Sequence, residues 1–242
     1  MPSDVSPTDS GGLGVLVIHG FTGSPGTMAH LSGGIAGAGY DTVVPTLPGH
    51  GTTVEDMTTT DWADWSGAAE AAYLELAARS ARVAVVGLSM GGTITCWLAA
   101  RHPEIAGIVC VNPFVLPRDP DEIAFIDALI EAGEPITDPV GADIADPDVV
   151  EPAYDQTPLV PLRSLVGAVT DLQPDLERIA CPLLLLTSAE DHTVDPLNSD
   201  HLANQVVGPV ERVRLERSFH VAVLDYDKDI VVERTLGFLS SL

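Results

Sequence analysis

The chain has 242 residues, 45% of them hydrophobic, which is enough apolar sequence for one domain or for one domain with an insertion. Thirty-five acidic residues against eleven arginines and lysines give a net charge of −24, and such a surface repels nucleic acid and anionic lipid headgroups. No run of 18 apolar residues occurs, so we expect no stable membrane insertion. Residues 1–12 lack a basic region followed by an apolar stretch, so we expect no signal peptide and a cytoplasmic protein.

Lysine and cysteine usage adds two weaker indications. Lys228 is the single lysine, and a lysine-poor acidic surface is typical either of a salt-rich habitat or of a high-GC genome. Cys96, Cys110 and Cys181 are odd in number and unclustered, which favours buried free thiols over a disulfide framework or a zinc site. We therefore predict no metal.

Short apolar segments alternate with longer segments of helical periodicity along the chain. The predicted strands are residues 13–18, 41–44, 82–87, 106–111, 182–187 and 211–215. The predicted helices between and after them are residues 25–38, 61–79, 90–101, 196–206 and 228–239. This alternation, with continuously apolar strands, predicts an α/β fold with a mostly parallel sheet and helices on both faces.

Residues 113–161 interrupt the alternation and hold nine of the 19 prolines. The segment follows a predicted strand, so an insertion here lies over the carboxyl edge of the sheet. We predict a cap at residues 114–166, with a helix at 121–132, and a core made of residues 1–113 and 167–242. The alternative is a long surface excursion without function, but an excursion of this length inside a compact domain is usually functional or disordered.

Residues 87–92, with the sequence GLSMGG, contain the pattern G-x-S-x-G between a predicted strand and a predicted helix. This is the nucleophile elbow, in which a sharp turn exposes one serine hydroxyl above the carboxyl edge of the sheet. The pattern alone is weak in a glycine-rich chain, but the flanking strand and helix are independent requirements and both are met. We therefore predict that Ser89 is a nucleophile.

A serine nucleophile needs a base and an acid that orients the base, and in this fold they follow in the order acid, then histidine. Asp191 follows the next-to-last strand and is the predicted acid, with Glu190 and Asp195 as the alternatives. His220 follows the last strand and is the predicted base. His192 stands next to the acid but in the wrong loop to be the base.

The negative charge that develops on the substrate needs two main-chain N–H donors. We predict that Met90, directly after the nucleophile, supplies one, and that Phe21, in the loop after the first strand, supplies the other. His19 is expected to brace this loop. Such a site needs no organic cofactor, and its expected partner is a small-molecule ester. A carboxylate at the elbow would be needed for a dehalogenase or an epoxide hydrolase, so Ser89 disfavours both.

With these residues placed, the chain resembles the α/β-hydrolase superfamily and, more narrowly, bacterial carboxylesterases and monoacylglycerol lipases. The resemblance rests on residues 19–25, 47–51, 87–92, 191–196 and 218–227. It implies a small cap and a preference for monoglycerides or other acyl monoesters. A cap glutamate recognises glycerol in these lipases, and Glu151 lies in a similar segment; the alternative is a solvated acid in an acidic cap. Arg217 departs from the small polar residue expected there.

Other functions remain open at the level of sequence. A general carboxylesterase or thioesterase without glycerol contacts has the same motifs, and a carbon–carbon bond hydrolase uses the same three residues. A hydrolase-like receptor that binds a small molecule without turning it over belongs to a different class of protein. We expect a monomer or a homodimer.

Overall fold

A computed structural model describes residues 12–139 and 143–242. The expectation of no signal peptide concerns a segment that lies almost wholly outside these residues. Eight strands are present in the described ranges: β1 Leu13–Ile18, β2 Asp41–Val43, β3 Arg82–Leu88, β4 Gly107–Val111, β5 Ile136–Thr137, β6 Thr157–Pro158, β7 Leu183–Ser188 and β8 Val210–Leu215. The helices are α1 Ala29–Gly37, α2 Val54–Met57, α3 Trp62–Ala77, α4 Met90–Arg101, α5 Pro120–Glu131, α6 Leu159–Leu172, α7 Leu197–Gln205 and α8 Lys228–Ser241, with a 3-10 helix at Gln173–Arg178.

Six strands form one parallel sheet in the order β2-β1-β3-β4-β7-β8. Alternate residues of each strand face opposite sides of the sheet. In β1, Leu16 and Ile18 pack under α3, α4 and α6, whereas Val15 and Val17 pack under α1 and α8. Each face of the sheet thus has its own apolar core. This confirms the predicted α/β-hydrolase arrangement of a parallel sheet with helices on both faces.

The carboxyl ends of the central strands lie side by side. Ile18 of β1 pairs with Gly87 of β3, and Leu88 of β3 pairs with Val111 of β4. The loops that follow these strands therefore leave the sheet at one edge, where ligands bind in α/β folds.

The first predicted helix begins later than the sequence indicated. The proline at position 25 was expected to open it, but α1 begins at Ala29. Residues 24–29 instead form successive turns, with Thr27 N–H donating to the Ser24 carbonyl and Ala29 N–H to the Gly26 carbonyl. Glycine at position 26 disfavours helix, which fits this late start.

The segment predicted as a cap contains α5, the short antiparallel pair β5–β6 and the start of α6. Helix α5 matches the expected helix closely, and none of its residues is buried. Helix α6 was not predicted, and it crosses residue 166, which the sequence suggested as the end of the cap. The limits of the cap stay a prediction.

Candidate active site

Ser89 occupies a strained turn between β3 and α4. Its φ is 56° and its ψ is −118°, in a region that residues with a side chain rarely adopt. A Cβ atom on Gly87 would lie 2.1 Å from the Gly91 carbonyl oxygen, and a Cβ atom on Gly91 would lie 2.3 Å from the Ile18 carbonyl oxygen. The glycines of G-x-S-x-G therefore let the strand, the helix and β1 approach each other closely around Ser89.

The imidazole of His220 is held by Asp191. The distance from His220 Nδ1 to Asp191 Oδ2 is 2.7 Å, and the two side chains are 4% and 1% exposed. The other carboxylate oxygen, Oδ1, accepts the main-chain N–H groups of Thr193 at 2.9 Å and of Val194 at 2.7 Å. Because a carboxylate only accepts, His220 Nδ1 carries the proton. Its Nε2 atom is then the one that can remove a proton from a nucleophile.

The loop after β7, residues 189–196, is called the acid loop, and its other candidate residues lie away from His220. Glu190 is exposed. Asp195 is exposed as well, and its carboxylate accepts the Leu197 N–H at the start of α7, at 2.9 Å. The His192 side chain is 61% exposed and pairs with Asp143. Among these residues, Asp191 alone brings its carboxylate to the imidazole.

Ser89 and His220 line one pocket at the carboxyl edge of the sheet. Two further residues with charged side chains, Glu151 and Arg118, also line it. The apolar lining residues are Phe21, Leu88, Phe114, Leu162, Leu165, Val194 and Val221. A mostly apolar pocket with a few polar groups is typical of a site for a small-molecule ligand.

The loop after β1 lies against the elbow. A Cβ atom on Gly20 would be 3.5 Å from Ser89 Cβ, and Phe21 follows directly, with its ring edge-on to Trp65 at 5.8 Å between centroids. Met90, the first residue of α4, is fully buried. This places the two predicted N–H donors, Phe21 and Met90, on segments that meet at Ser89, as an oxyanion hole requires.

His19 braces this loop, in agreement with the role expected from the sequence. Its Nε2 accepts the Leu47 N–H at 3.3 Å, so its Nδ1 carries a proton and donates to the Gly20 carbonyl at 2.9 Å. Burial, together with the proximity of His50, lowers the pKa of His19 to about 3. Burial likewise lowers the pKa of His50 to about 4. Both rings are neutral near pH 7 and add no charge beside the loop after β1.

Glu151 lines the same pocket. It lies in residues 114–166, the segment predicted as a cap and here called the inserted segment. Thr27 Oγ1 donates a hydrogen bond to Glu151 Oε1 at 3.2 Å. Burial raises the pKa of Glu151 to about 7, against the opposing effects of the nearby His220 and of the Thr27 hydrogen bond. A carboxyl with such a pKa, in the pocket that Ser89 and His220 also line, is typical of a functional group rather than of a solvated surface acid.

The chain around Glu151 is hydrogen-bonded to the loop after β1 and to the chain at Ser24 and Gly49. Tyr154 N–H donates to the Thr22 carbonyl at 3.1 Å, and Tyr154 Oη donates to the Gly49 carbonyl at 2.7 Å. Ser24 Oγ donates to the Pro152 carbonyl at 3.1 Å. The position of Glu151 is therefore set by contacts with the core.

Sequence reasoning missed three contributors to this site. Leu162 and Leu165 of α6 line the pocket, and the spacing of apolar residues by three and four along 159–172 was the available signal. Asn112, at the end of β4, donates from Nδ2 to the His220 carbonyl at 2.7 Å and to Ser188 Oγ at 2.9 Å. A polar residue directly after a buried strand at this edge was the signal for Asn112.

Among residues 12–139 and 143–242, no group of three or more histidine, cysteine or acidic side chains could hold a metal ion. No helix there is long and apolar enough to cross a membrane. The cytoplasmic location stays a prediction.

A strained serine at the carboxyl edge of a parallel sheet, facing a pocket with a carboxylate-bound histidine, is the arrangement of the α/β-hydrolases that use serine. Comparison with known proteins agrees. The family model described as Hydrolase_4, serine aminopeptidase S33, matches residues 13–227. The chain belongs to this family of serine hydrolases.

Named relatives cover nearly the whole chain. It is 42% identical over 237 residues to the thermostable monoacylglycerol lipase of Bacillus sp. strain H-257, covering 96% of this chain and 92% of the relative. It is 26% identical over 239 residues to a carboxylesterase of Bacillus subtilis strain 168, covering 96% and 94%. A solved structure from work on the metagenome-derived lipolytic enzymes LipS and LipT superposes with a TM-score of 0.91 at 38% identity, covering 96% and 94%.

Proposed function

We propose that this protein is a serine carboxylic ester hydrolase that acts on monoacylglycerols, with Ser89, Asp191 and His220 as its catalytic triad. The observation that carries the proposal is that Ser89, His220 and the buried carboxyl of Glu151 line one pocket whose other residues are mostly apolar. Such a pocket can accept an acyl chain on apolar surface and a polyhydroxy alcohol at the carboxyl. The 42% identity to a monoacylglycerol lipase supports the same substrate class.

The geometry supports a two-step mechanism. His220 Nε2 removes the proton from Ser89 Oγ as that oxygen attacks the ester carbonyl, and Asp191 stabilises the resulting imidazolium. The negative charge on the carbonyl oxygen is stabilised by the main-chain N–H groups of Phe21 and Met90. The intermediate collapses, and the alcohol leaves with the proton from His220. Water then attacks the acyl-enzyme by the same route and releases the fatty acid and the free serine.

Glu151 is proposed to bind the hydroxyl groups of the glycerol moiety. Thr27 binds one oxygen of its carboxyl, and the residue lines the pocket beside His220, to which the leaving alcohol must be close. Arg217, the departure from the lipase pattern, is exposed, and its guanidinium lies 4.9 Å from the centre of the Tyr226 ring. It does not line the pocket, so the proposed glycerol site is unaffected by it.

The proposed role of residues 114–166 is that of a cap. Phe114, Arg118 and Leu162 supply part of the pocket wall, and Glu151 supplies its polar end. The carboxyl edge of the sheet alone would leave the acyl chain in contact with water, so this segment completes the pocket.

The test compares monoacylglycerols of graded chain length with ethyl esters of the same acids, using wild type and three variants. Ser89→Ala removes the nucleophile and is expected to abolish turnover of both series. At pH 8, where the Glu151 carboxyl is mostly ionised, Glu151→Gln is expected to raise KM for the monoacylglycerols while leaving the ethyl esters within about twofold of wild type, because a hydrogen bond to a charged group contributes about 1.5–3 kcal/mol and one to a neutral group about 0.5–1.5 kcal/mol. Asp155→Asn is the matched control, since this acid lies four residues away and is exposed.

A general carboxylesterase or thioesterase is the second candidate. The observation in its favour is that Glu151 Oε1 already accepts a hydrogen bond from Thr27. Equal turnover of both ester series, unchanged in Glu151→Gln, would support it and would remove the glycerol site. A wild type without Ser89-dependent turnover would point to a receptor or to a different hydrolase chemistry.

A further inference from the structure

Asp143, in the inserted segment, contacts two loops. One is the acid loop after β7, which holds the proposed acid Asp191, and the other is the loop after β8, residues 216–227, which holds the proposed base His220 and is called the base loop. Its Oδ2 accepts the main-chain N–H of His192 at 2.9 Å and that of His220 at 3.2 Å. Its side chain is 16% exposed. One carboxylate oxygen thus bridges the residue after Asp191 and the proposed catalytic histidine itself.

The main chain of Asp143 makes a second contact with the base loop. The Asp143 carbonyl accepts the Val221 N–H at 3.1 Å. Two successive N–H groups of the base loop, those of His220 and Val221, therefore end on the same residue of the inserted segment. On its other side the loop is held by Asn112, which donates to the His220 carbonyl. The main chain at His220 is bound from both sides.

The side chain of His192 makes a second contact between Asp143 and the acid loop. His192 Nδ1 lies 2.9 Å from Asp143 Oδ1, and the His192 ring packs edge-on against Phe219 at 4.5 Å between centroids. The hydrogen bond and the charge of Asp143, with Glu190 and Asp191 contributing less, raise the pKa of His192. When the ring is protonated, it forms an ion pair with the Asp143 carboxylate that joins the acid loop to the inserted segment.

A second, buried carboxylate holds the chain after Asp143 in place. Asp225, fully buried in the core, accepts the N–H groups of Ala145 at 2.8 Å and of Asp146 at 3.1 Å. It also accepts the N–H of Phe219 at 2.9 Å, directly before His220. The segment that carries Asp143 is therefore itself held next to the base loop by hydrogen bonds to Asp225.

We propose that Asp143 is a positioning residue for the reaction: it fixes the acid loop relative to the base loop, so that Asp191 holds the His220 imidazole at the correct distance and angle for Ser89. This inference rests on the proposed function. Asp143 exchanges no proton with substrate and touches no reacting atom. Its effect passes through His220 and Asp191, and displacements of about 1 Å at a catalytic group can cost about 100-fold in rate.

The test uses Asp143→Ala, Asp143→Asn and His192→Ala in the full chain. The chain offers a matched control in Asp229, which pairs with His30 Nε2 at 2.8 Å between two surface helices outside the pocket. Asp229→Ala removes an acid–histidine pair of the same kind. The readouts are kcat and KM on a soluble ester, the rate of Ser89 labelling by a fluorophosphonate, and Tm.

Asp143→Ala is expected to lower kcat by about tenfold or more with KM within about twofold, and to slow labelling in parallel. Asp143→Asn retains one oxygen acceptor for the two N–H groups and is expected to recover part of the loss. His192→Ala keeps the main-chain contacts and is expected to lose less. Asp229→Ala is expected to match wild type in kcat and in labelling rate.

Wild-type kcat and labelling rate in folded Asp143→Ala, even with a lower Tm, would overturn the proposal, because a merely structural role changes stability alone. So would a higher KM at unchanged kcat. If Asp143→Ala does not fold, Asp143→Asn and His192→Ala decide by the same readouts. Labelling needs no ester substrate, so it tests Asp143 even where wild type fails to cleave monoacylglycerols, and the two proposals fail separately.

Discussion

Thr27 Oγ1 and Glu151 Oε1 are joined by a hydrogen bond of 3.2 Å, between the turns that precede α1 and the inserted segment. The bond orients a carboxyl whose burial favours its neutral form. Because Thr27 is itself completely buried, Oε1 of Glu151 is held in place, and we expect the alcohol of a ligand to bind at the other oxygen. Glu151 is thus both an expected specificity group and a source of pH-dependent stability.

Glu151→Gln is expected to stabilise the protein above pH 7 and not below pH 4. The pKa of Glu151 is about 7 in the folded chain, against an ordinary value of 4.5. Between these values the unfolded chain releases a proton that the folded chain retains, so the free energy of unfolding falls as the pH rises, by about 3 kcal/mol at most. Glutamine removes this loss. Thermal unfolding at pH 4 and pH 8 measures it.

Asp155→Asn, an exposed acid in the same segment, controls for the general loss of one negative charge. An equal Tm difference between Glu151→Gln and wild type at both pH values would show that the carboxyl of Glu151 titrates normally.

Asp191→Asn is expected to lower kcat by about 10³–10⁴-fold. The two N–H donors from Thr193 and Val194 require an oxygen at Oδ1, so asparagine must turn its NH2 group towards His220 Nδ1. His220 Nδ1 then has to accept a hydrogen bond from this NH2 group, so the imidazole proton moves to Nε2. A protonated Nε2 can no longer act as a base. Initial rates on a soluble ester measure the effect.

Glu190→Gln is the control for the neighbouring acid, which is exposed, and its kcat is expected to stay within about twofold of wild type. A large loss in Glu190→Gln with little change in Asp191→Asn would assign the acid to the other residue.

Leu162→Trp is expected to impair long acyl chains selectively. Leu162 lines the catalytic pocket and also an open groove between α5 and α6, so a bulkier side chain at this position narrows the space that a long acyl chain needs beyond the pocket. The ratio of kcat/KM for C16 over C8 monoacylglycerols is expected to fall about tenfold or more, since each CH2 group excluded from apolar surface costs about 0.8 kcal/mol.

Val160→Trp is the control on the same helix, because Val160 is 50% exposed and lines neither the pocket nor the groove. An unchanged C16 to C8 ratio in Leu162→Trp would mean that acyl chains do not extend past Leu162 into the groove between α5 and α6.

Two glycine-to-alanine substitutions are expected to change the free energy of unfolding in opposite directions. Gly91→Ala would place a Cβ atom 2.3 Å from the Ile18 carbonyl oxygen, so we expect a loss of about 3 kcal/mol or more in the free energy of unfolding and a displaced Ser89. Gly67→Ala, on the exposed face of α3 with no atom within 4 Å of its Cβ position, is expected to gain about 0.5–1 kcal/mol. Urea denaturation measures both, and a stable, active Gly91→Ala would contradict the close packing at the elbow.

The sheet and the elbow could be predicted because their signals are local. Apolar runs such as 82–88 specify buried strands, and the glycines around Ser89 specify a close turn at the edge of the sheet. Helix α6 was missed because Pro161 and Gly167 interrupt a pattern that is otherwise helical. Asp143 could not be assigned because its partners His192 and His220 lie 49 and 77 positions away along the chain. Nothing in the neighbouring sequence reports contacts of that range.

The attachments of the inserted segment also bear on how related enzymes diverge. Residues 143–146 and 151–154 are hydrogen-bonded to loops of the core, whereas α5 has no buried residue. We expect lineages built on this scaffold to vary the stretch around α5 freely in length and composition and to conserve the stretch from 143 to 154. Natural variants would then acquire new acyl preferences in the first stretch while inheriting the reaction chemistry unchanged.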